Sequence, residues 1–341
     1  MKKNLKLLSV GLAVLITAGS FAGCASTASD DGEKKAELTT IRLSEVTHSV
    51  FYAPQYVAIN KGFFADEGLK LEVTSGEGAD KVMAAVVSNQ CDIGLAGPEA
   101  SIYVLKEGKE NHPKIFAQLT QRDGSFLVGR KDEPNFNWES LRGKTILGGR
   151  PGGVPEMTLE YTLKQKGLVP GKDVNVITNI QFSAVAGAFK SGTADYATLF
   201  EPVASAISAD GSAFVVSSVG QESGLIPYTA YCASKEYIEK NKDVIQRFTN
   251  AIYKATQWVN THSSAEVADA IIDSFPDTNR DVLIKVIDRY KGIEAWKLNL
   301  QMDEKDLLNL ETIMQDAGVL EQPVDYNKLV DNSFAKAAAE K

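Results

Sequence analysis

The stretch Leu71–Ser101, LEVTSGEGADKVMAAVVSNQCDIGLAGPEAS, decides the fold, because its plan recurs at Val174–Ser205 as VNVITNIQFSAVAGAFKSGTADYATLFEPVAS. Each copy has an alternating apolar run and then a helical pattern of small residues. Each copy next places a Ser four residues before an Asp, and each ends on a Pro-x-Ala-Ser motif. So many shared landmarks in one order indicate an internal duplication.

The duplication extends upstream of both copies. Pro54 and Pro155 each open a helical stretch, and the apolar runs 41–46 and 144–147 precede them. Strand, helix, strand, helix, strand, helix is the pattern of a parallel-sheet unit. Two such units predict an α/β fold of two similar lobes, each with a mainly parallel sheet flanked by helices.

Size and composition limit the class of protein. A chain of 341 residues with 44% hydrophobic content suits two domains with their own cores. The net charge of −8 argues against a nucleic-acid partner. Three scattered histidines argue against a histidine-based metal site, and three cysteines are too few for a disulfide framework. Cys91 and Cys232 both belong to the first lobe, where a disulfide and two buried apolar positions remain alternatives.

The N-terminus has the form of an export signal. Lysines precede the short apolar run Leu7–Thr17, and small residues then lead to Cys24. The sequence Phe21-Ala22-Gly23-Cys24 is similar to a bacterial lipobox, in which the cysteine is acylated and becomes the first mature residue. We expect a lipoprotein signal peptide at 1–23, lipidation of Cys24 and a flexible tether at 24–37. An ordinary secretory signal with an incidental cysteine is the alternative.

Three loops are candidates for ligand contact, because ligands of open parallel sheets bind where loops leave the carboxyl ends of strands. They are His48–Tyr52, Gly76–Asp80 and the glycine-dense Gly148–Glu156, each followed by a helical pattern. Their glycines allow close backbone approach, and helix starts offer free N–H groups. Alternatives remain for each loop: aromatic packing against the core, a plain turn, or an Arg150 pair with a protein carboxylate.

The chain passes between the lobes twice. Residues 121–124 are expected to form the first passage and Tyr228–Ala233 the return, after which helical patterns dominate. We therefore assign 38–122 plus 231–335 to lobe one and 123–230 to lobe two. Glu201 precedes Pro202 at a helix start, so a capping role is an alternative to ligand contact for this residue.

A longer motif in the first lobe resembles a known family. It runs His48…Tyr52-Ala53-Pro54…Ala58…Lys61-Gly62-Phe63-Phe64…Glu67-Gly68-Leu69, with further landmarks at Ser88…Asp92-Ile93-Gly94 and Leu141-Arg142-Gly143-Lys144. The sequence resembles the substrate-binding proteins of ABC importers for nitrate, sulfonates, taurine and thiamine-pyrimidine precursors. The resemblance covers residues from about Leu38 to the C-terminal helices.

This resemblance implies a type II periplasmic-binding-protein fold, with two hinge crossovers and the ligand in the cleft between the lobes. It implies capture of a small molecule by lobe closure, not catalysis, and a permease in the membrane as partner. We expect a lipid-anchored monomer on the outer face of the bacterial cytoplasmic membrane, with no cofactor and no metal. The predicted ligand-binding residues are His48, Phe51, Tyr52, Gly78, Ala79, Glu99, Asp123, Arg150, Gly152, Gly153, Glu156, Glu201 and Tyr228.

Charge favours one ligand class over another. Glu99, Glu201 and Glu156 are expected to face the cleft, and carboxylates buried beside a sulfonate or nitrate are costly. An aromatic ring that carries amino groups fits better, which within the family indicates a thiamine-type pyrimidine precursor. An aliphatic sulfonate, taurine or nitrate bound at the Gly152-Gly153 helix start is the alternative. A pyrimidine-synthase-like enzyme is a further alternative, although this chain lacks the cysteine-rich motif of those enzymes. A lipoprotein that binds a macromolecule is another alternative.

Overall fold

The computed structural model describes residues 37–341. The predicted signal peptide, Cys24 and the predicted tether up to residue 36 lie outside the described residues. Within the described part of the chain, no helix has both the length and the apolar character needed to cross a membrane.

The first sheet has five strands in the order β2-β1-β3-β10-β4. All its strands run parallel except β10, which is antiparallel to both of its neighbours. The first unit of the chain supplies these elements: β1 (Thr39–Glu45), α1 (Ala53–Asn60), α2 (Phe63–Asp66), β2 (Leu69–Ser75), α3 (Ala79–Val87), β3 (Ile93–Ala96), α4 (Pro98–Lys106) and β4 (Pro113–Thr120).

The second sheet repeats this arrangement in the order β7-β6-β8-β5-β9. Here β5 is the antiparallel strand, inserted between β8 and β9. The middle of the chain supplies these elements: β5 (Ser125–Gly129), β6 (Thr145–Leu147), α5 (Val154–Gln165), β7 (Asn175–Ile177), α6 (Phe182–Lys190), β8 (Tyr196–Phe200), α7 (Val203–Ala209), β9 (Phe214–Ser218) and α8 (Val219–Ser223).

The rest of the chain returns to the first sheet. It forms β10 (Thr229–Ser234), α9 (Lys235–Lys240), α10 (Lys242–Thr261), α11 (Ser264–Ile271), α12 (Arg280–Gly292), α13 (Glu304–Asp316), α14 (Tyr326–Leu329) and α15 (Ser333–Ala339). Short 3-10 helices lie at Val50–Tyr52, Trp138–Leu141 and Ile272–Ser274. We call the first sheet with its helices the first lobe, and the second sheet with its helices the second lobe.

Local sequence explains where the helices beside the sheets begin. Pro54, Pro98 and Pro155 occupy the first turn of α1, α4 and α5, where a missing N–H costs nothing. Gly62, at φ +76°, separates α1 from α2 in a conformation that other residues adopt only with strain. The helical stretch that the sequence predicts from Pro54 onward is therefore divided in two.

The predicted α/β fold of two similar sheets flanked by helices is confirmed. The stretch expected to be the return passage, Tyr228–Ala233, is largely β10, a fully buried strand that pairs with β3 on one side and β4 on the other. The residue limits of the two lobes stay a prediction. Cys91 and Cys232 are both buried free thiols in the first lobe.

Candidate functional site

A cavity of about 360 Å³ lies between the two lobes, at the carboxyl ends of their parallel strands. Both lobes contribute to its wall. The loop after β1 and the starts of α3 and α4 face the starts of α5, α6 and α7. This is the edge at which an open α/β sheet presents loops and helix N-termini to a ligand.

The structure brings most of the predicted residues to this cavity. Those that line it are His48, Phe51, Tyr52, Ala79, Glu99, Arg150, Gly153, Glu201 and Tyr228. They come from five separate loops or helix starts and from the return passage, and the internal repeat explains why segments so distant in sequence converge.

Four predicted residues do not line the cavity: Gly78, Asp123, Gly152 and Glu156. Asp123 is fully buried behind the wall, where its carboxylate accepts bonds from the Ser125 N–H at 2.6 Å and from the Thr158 hydroxyl. Burial raises its pKa to about 6. Glu156 accepts a hydrogen bond from the Gly152 N–H at 3.1 Å, so both residues stabilise the loop before α5.

Glu99 is a buried carboxyl group of the wall with one unpaired oxygen atom. Its side chain is 2% exposed, and its Oε2 atom has no hydrogen-bond partner. The chain folds so tightly here that a Cβ atom on Gly97 would overlap this carboxylate. Burial raises the pKa of Glu99 to about 7, against the lowering effect of its own backbone N–H and of Arg150. The site therefore holds a carboxyl group that is poised to change protonation near neutral pH.

Aromatic rings form the wall beside this carboxyl group. The Phe51 ring lies 5.8 Å from Tyr228 and 6.3 Å from Phe200, and Phe182 lies 5.8 Å from Phe200. Tyr228 is buried, and its hydroxyl has no hydrogen-bond partner. Burial and the nearby charge of Asp123 raise the Tyr228 pKa far above its usual range, so the hydroxyl keeps its proton. An apolar wall with two unpaired polar groups suits a flat, partly polar ligand.

Glu201 lines the cavity, but protein groups already satisfy its carboxylate. It accepts bonds from the backbone N–H of Ser205 at 2.8 Å and from the Ser205 hydroxyl at 3.0 Å. Arg289 forms an ion pair with the same carboxylate. The capping alternative therefore describes Glu201 well, since its side chain lies at the N-terminus of α7.

His48 belongs to a polar network beneath the wall. Its Nδ1 lies 3.1 Å from Glu45 Oε1, and its Nε2 lies 2.7 Å from the Ser274 carbonyl oxygen. Glu45 is 1% exposed and also accepts bonds from Tyr56 and Gln55. The Glu45 carboxylate and the Ser274 carbonyl raise the pKa of His48 and so favour its imidazolium form.

The lobes meet at the mouth of the cavity. Arg150 Nε of the second lobe lies 3.6 Å from Asp80 Oδ1 of the first. Tyr103 of the first lobe donates a hydrogen bond of 2.9 Å to the Gly152 carbonyl oxygen of the second. These contacts belong to an arrangement in which the lobes are closed around the cavity.

Sequence reasoning missed part of the second-lobe wall. Gln181, Phe182, Ser183 and Val185 at the start of α6 line the cavity, together with Phe200. The repeat contained the signal, because the start of α6 corresponds to the start of α3, where Ala79 was predicted. Glu77, Ser49 and Thr198 also line the wall. Within residues 37–341, no cluster of three His, Cys, Asp or Glu side chains is arranged to hold a metal ion.

Known proteins resemble this chain along most of its length. The Bacillus subtilis (strain 168) protein named "Putative binding protein YtlA" is 46% identical over 310 residues, covering 91% of this chain and 93% of that protein. An Aspergillus parasiticus protein, 4-amino-5-hydroxymethyl-2-methylpyrimidine phosphate synthase, is 24% identical over 290 residues, 81% of this chain and 82% of its own length.

A solved structure confirms the fold. The ligand-binding component of an ABC-type import system from Staphylococcus aureus, determined with zinc bound, superposes with a TM-score of 0.71 at 17% identity. The match covers 89% of this chain and all of that one. The family model described as NMT1/THI5 like matches residues 50–265. Because that match covers more than half of the chain, the chain belongs to the NMT1/THI5-like family.

Proposed function

We propose that this protein is the solute-binding component of an ABC importer, which captures a small molecule between its lobes and presents it to a membrane permease. The binding-protein name of the B. subtilis relative supports binding over catalysis. The cavity supports it too, because residues of both lobes surround one enclosed volume. Such a ligand drives closure through contacts that only the closed state offers.

The proposed ligand is an amino-substituted aromatic heterocycle, with a thiamine-type pyrimidine precursor as the best candidate. The observation that carries this proposal is the free Oε2 atom of Glu99 beside an aromatic wall. A buried acceptor without a partner is costly, and a ligand N–H group would supply that partner. Phe51 and Tyr228 would then stack on or against the ring, and the Tyr228 hydroxyl would bond its polar edge.

Two further groups of the wall have proposed roles. The Arg150 guanidinium would bind a polar or anionic substituent of the ligand. Ala79 and Tyr52 would close the apolar side. Glu201 and His48 would shape the wall without supplying a free hydrogen-bonding group, since protein partners occupy them.

An aliphatic sulfonate, taurine or nitrate is the second candidate. Arg150 favours it, because an oxyanion requires cationic hydrogen-bond donors. The uncompensated Glu99 carboxyl opposes it, unless the group stays protonated and donates a hydrogen bond to the anion.

A calorimetric titration with wild-type protein tests the ligand class. The compounds are amino-pyrimidines, alkanesulfonates, taurine and nitrate, and we expect heat of binding with an amino-pyrimidine. Glu99→Gln, which offers an N–H in place of one acceptor, should weaken that binding by about tenfold or more. Glu311→Gln is the matched control, because Glu311 is a buried carboxyl group on α13, away from the cavity. Binding of sulfonates alone would replace the pyrimidine proposal with the second candidate.

A further inference from the structure

We propose that Arg289 and Tyr290 of α12, which do not line the ligand cavity, form a latch that holds the two lobes closed. The latch consists of Arg289, Tyr290 and Ser49 of the first lobe and Glu201 of the second. This inference goes beyond the proposed function, because it concerns the open and closed states of the protein and holds for any ligand.

The helix α12 belongs to the first lobe. It packs against α11, which in turn packs against α1 beside the first sheet. The final turn of α12, however, reaches the second lobe. There the Arg289 guanidinium pairs with the carboxylate of Glu201 and lies 3.2 Å from the Ser205 hydroxyl.

Three more contacts converge on the same point of the second lobe. The Glu201 backbone N–H donates to the Tyr290 hydroxyl at 3.2 Å, and that hydroxyl donates to the Gly124 carbonyl oxygen at 3.2 Å. Ser49 donates to the Glu201 carbonyl oxygen at 2.8 Å. Every polar group of Glu201 therefore bonds to a partner, and three of these partners lie in the first lobe.

Burial makes the latch sensitive to loss of its cation. The Glu201 side chain is completely buried, while Arg289 is 32% exposed on the outer side. Arg289 also lies over the Phe126 ring of β5, 5.3 Å from its centre. If the guanidinium is removed, the closed state retains a buried carboxylate without its counter-ion, whereas an open state gives that carboxylate access to water. Loss of Arg289 should therefore shift the population toward the open state.

The test measures the distance between the lobes in ligand-free protein by pulsed electron spin resonance. Spin labels are placed at Lys81→Cys on α3 and Ala184→Cys on α6, two exposed positions on opposite sides of the cavity. The full chain carries Cys24→Ser, and Cys91 and Cys232 are buried, so only the introduced cysteines are labelled. We expect a short distance in this background and a longer one after Arg289→Gln.

Two further variants make the result specific. Arg280→Gln removes an arginine of the same helix whose partner, Asp269 on α11, lies in the same lobe, and it should leave the distance unchanged. Glu201→Gln breaks the latch from the other lobe and should lengthen the distance even if Arg289→Gln fails to fold. Unchanged distances in Arg289→Gln, or in Glu201→Gln where the arginine variant does not fold, would overturn the latch.

Discussion

At the scale of single residues, Glu99 determines how the site responds to pH. Its pKa is raised from 4.5 to about 7 by burial, so the folded protein holds a proton that the unfolded chain releases between those values. The resulting contribution to stability is present below the lower value and is lost as pH rises through about 7. Asp123 and Glu156, each with a pKa raised to about 6, act in the same direction at lower pH.

We predict that the melting temperature of the ligand-free protein falls between about pH 5 and pH 8, and that Glu99→Gln reduces this fall. Differential scanning calorimetry across that range measures both. His48, whose pKa is raised, contributes in the same direction. The melting temperature of Glu99→Gln should therefore still fall with pH, but less than that of the wild type. An equal fall of melting temperature with pH in wild type and Glu99→Gln would contradict the raised pKa of Glu99.

The same residue separates the two ligand candidates. A ligand that donates N–H groups requires the carboxylate, so its affinity should increase as pH rises through about 7. A sulfonate that accepts a bond from the protonated carboxyl group should show the opposite trend. The sign of the pH dependence therefore identifies the ligand class independently of the mutants.

At the scale of elements, the contact between α8 and the first crossover limits what the chain tolerates. A Cβ atom on Gly220 would overlap the backbone carbonyl oxygen of Asp123. Gly187 lies in the middle of α6 at a negative φ, and a Cβ atom there would meet nothing within 4 Å. A side chain is therefore excluded at Gly220 and has room at Gly187.

We predict that Gly220→Ala destabilises the protein by about 1–3 kcal/mol, because the crossover must move. Gly187→Ala, the matched control, should stabilise it by about 0.5–1 kcal/mol through helix propensity. Urea denaturation followed by circular dichroism measures both changes. If the two variants unfold at the same urea concentration, the close approach at Gly220 does not restrict this position.

Sequence periodicity predicted the elements of each repeat well, because apolar spacing and the prolines at helix starts are local signals. The role of β10 was not evident, since pairing between residues as distant as Tyr231 and Leu95 leaves no local trace. The same reason explains why Asp123 was wrongly expected to line the cleft. Its position in a crossover suggested the cleft, but its carboxylate accepts a hydrogen bond from Thr158, a distant residue of α5.

At the scale of the whole molecule, the repeat predicted that two sets of loops would meet, and the cavity contains residues from both. It did not predict which polar side chains stay free. Glu99 and Glu201 look alike in sequence, yet Arg289, 88 residues further along, satisfies only the second. Such a distinction depends on tertiary packing of the C-terminal helices against the second lobe.

We predict that replacement of Cys24 by Ser releases the protein from the membrane when the full chain is expressed in a bacterium with a single membrane. The physical reason is that an acyl chain supplies most of the membrane affinity of a protein without a spanning helix. Immunoblots of the membrane and medium fractions measure the change, and Ser26→Ala is the control. Retention of the Cys24→Ser protein in the membrane fraction would contradict lipid anchoring.

The insertion of β10 between β3 and β4 has a consequence for biogenesis. As the chain is synthesised from its N-terminus onward, all five strands of the second sheet are available once residue 218 has appeared. The first sheet lacks an inner strand until residue 234 follows. Until then β3 and β4 have unpaired edges, and such edges invite aggregation. The second sheet can thus be completed first, while the first sheet keeps exposed strand edges until β10 has been synthesised.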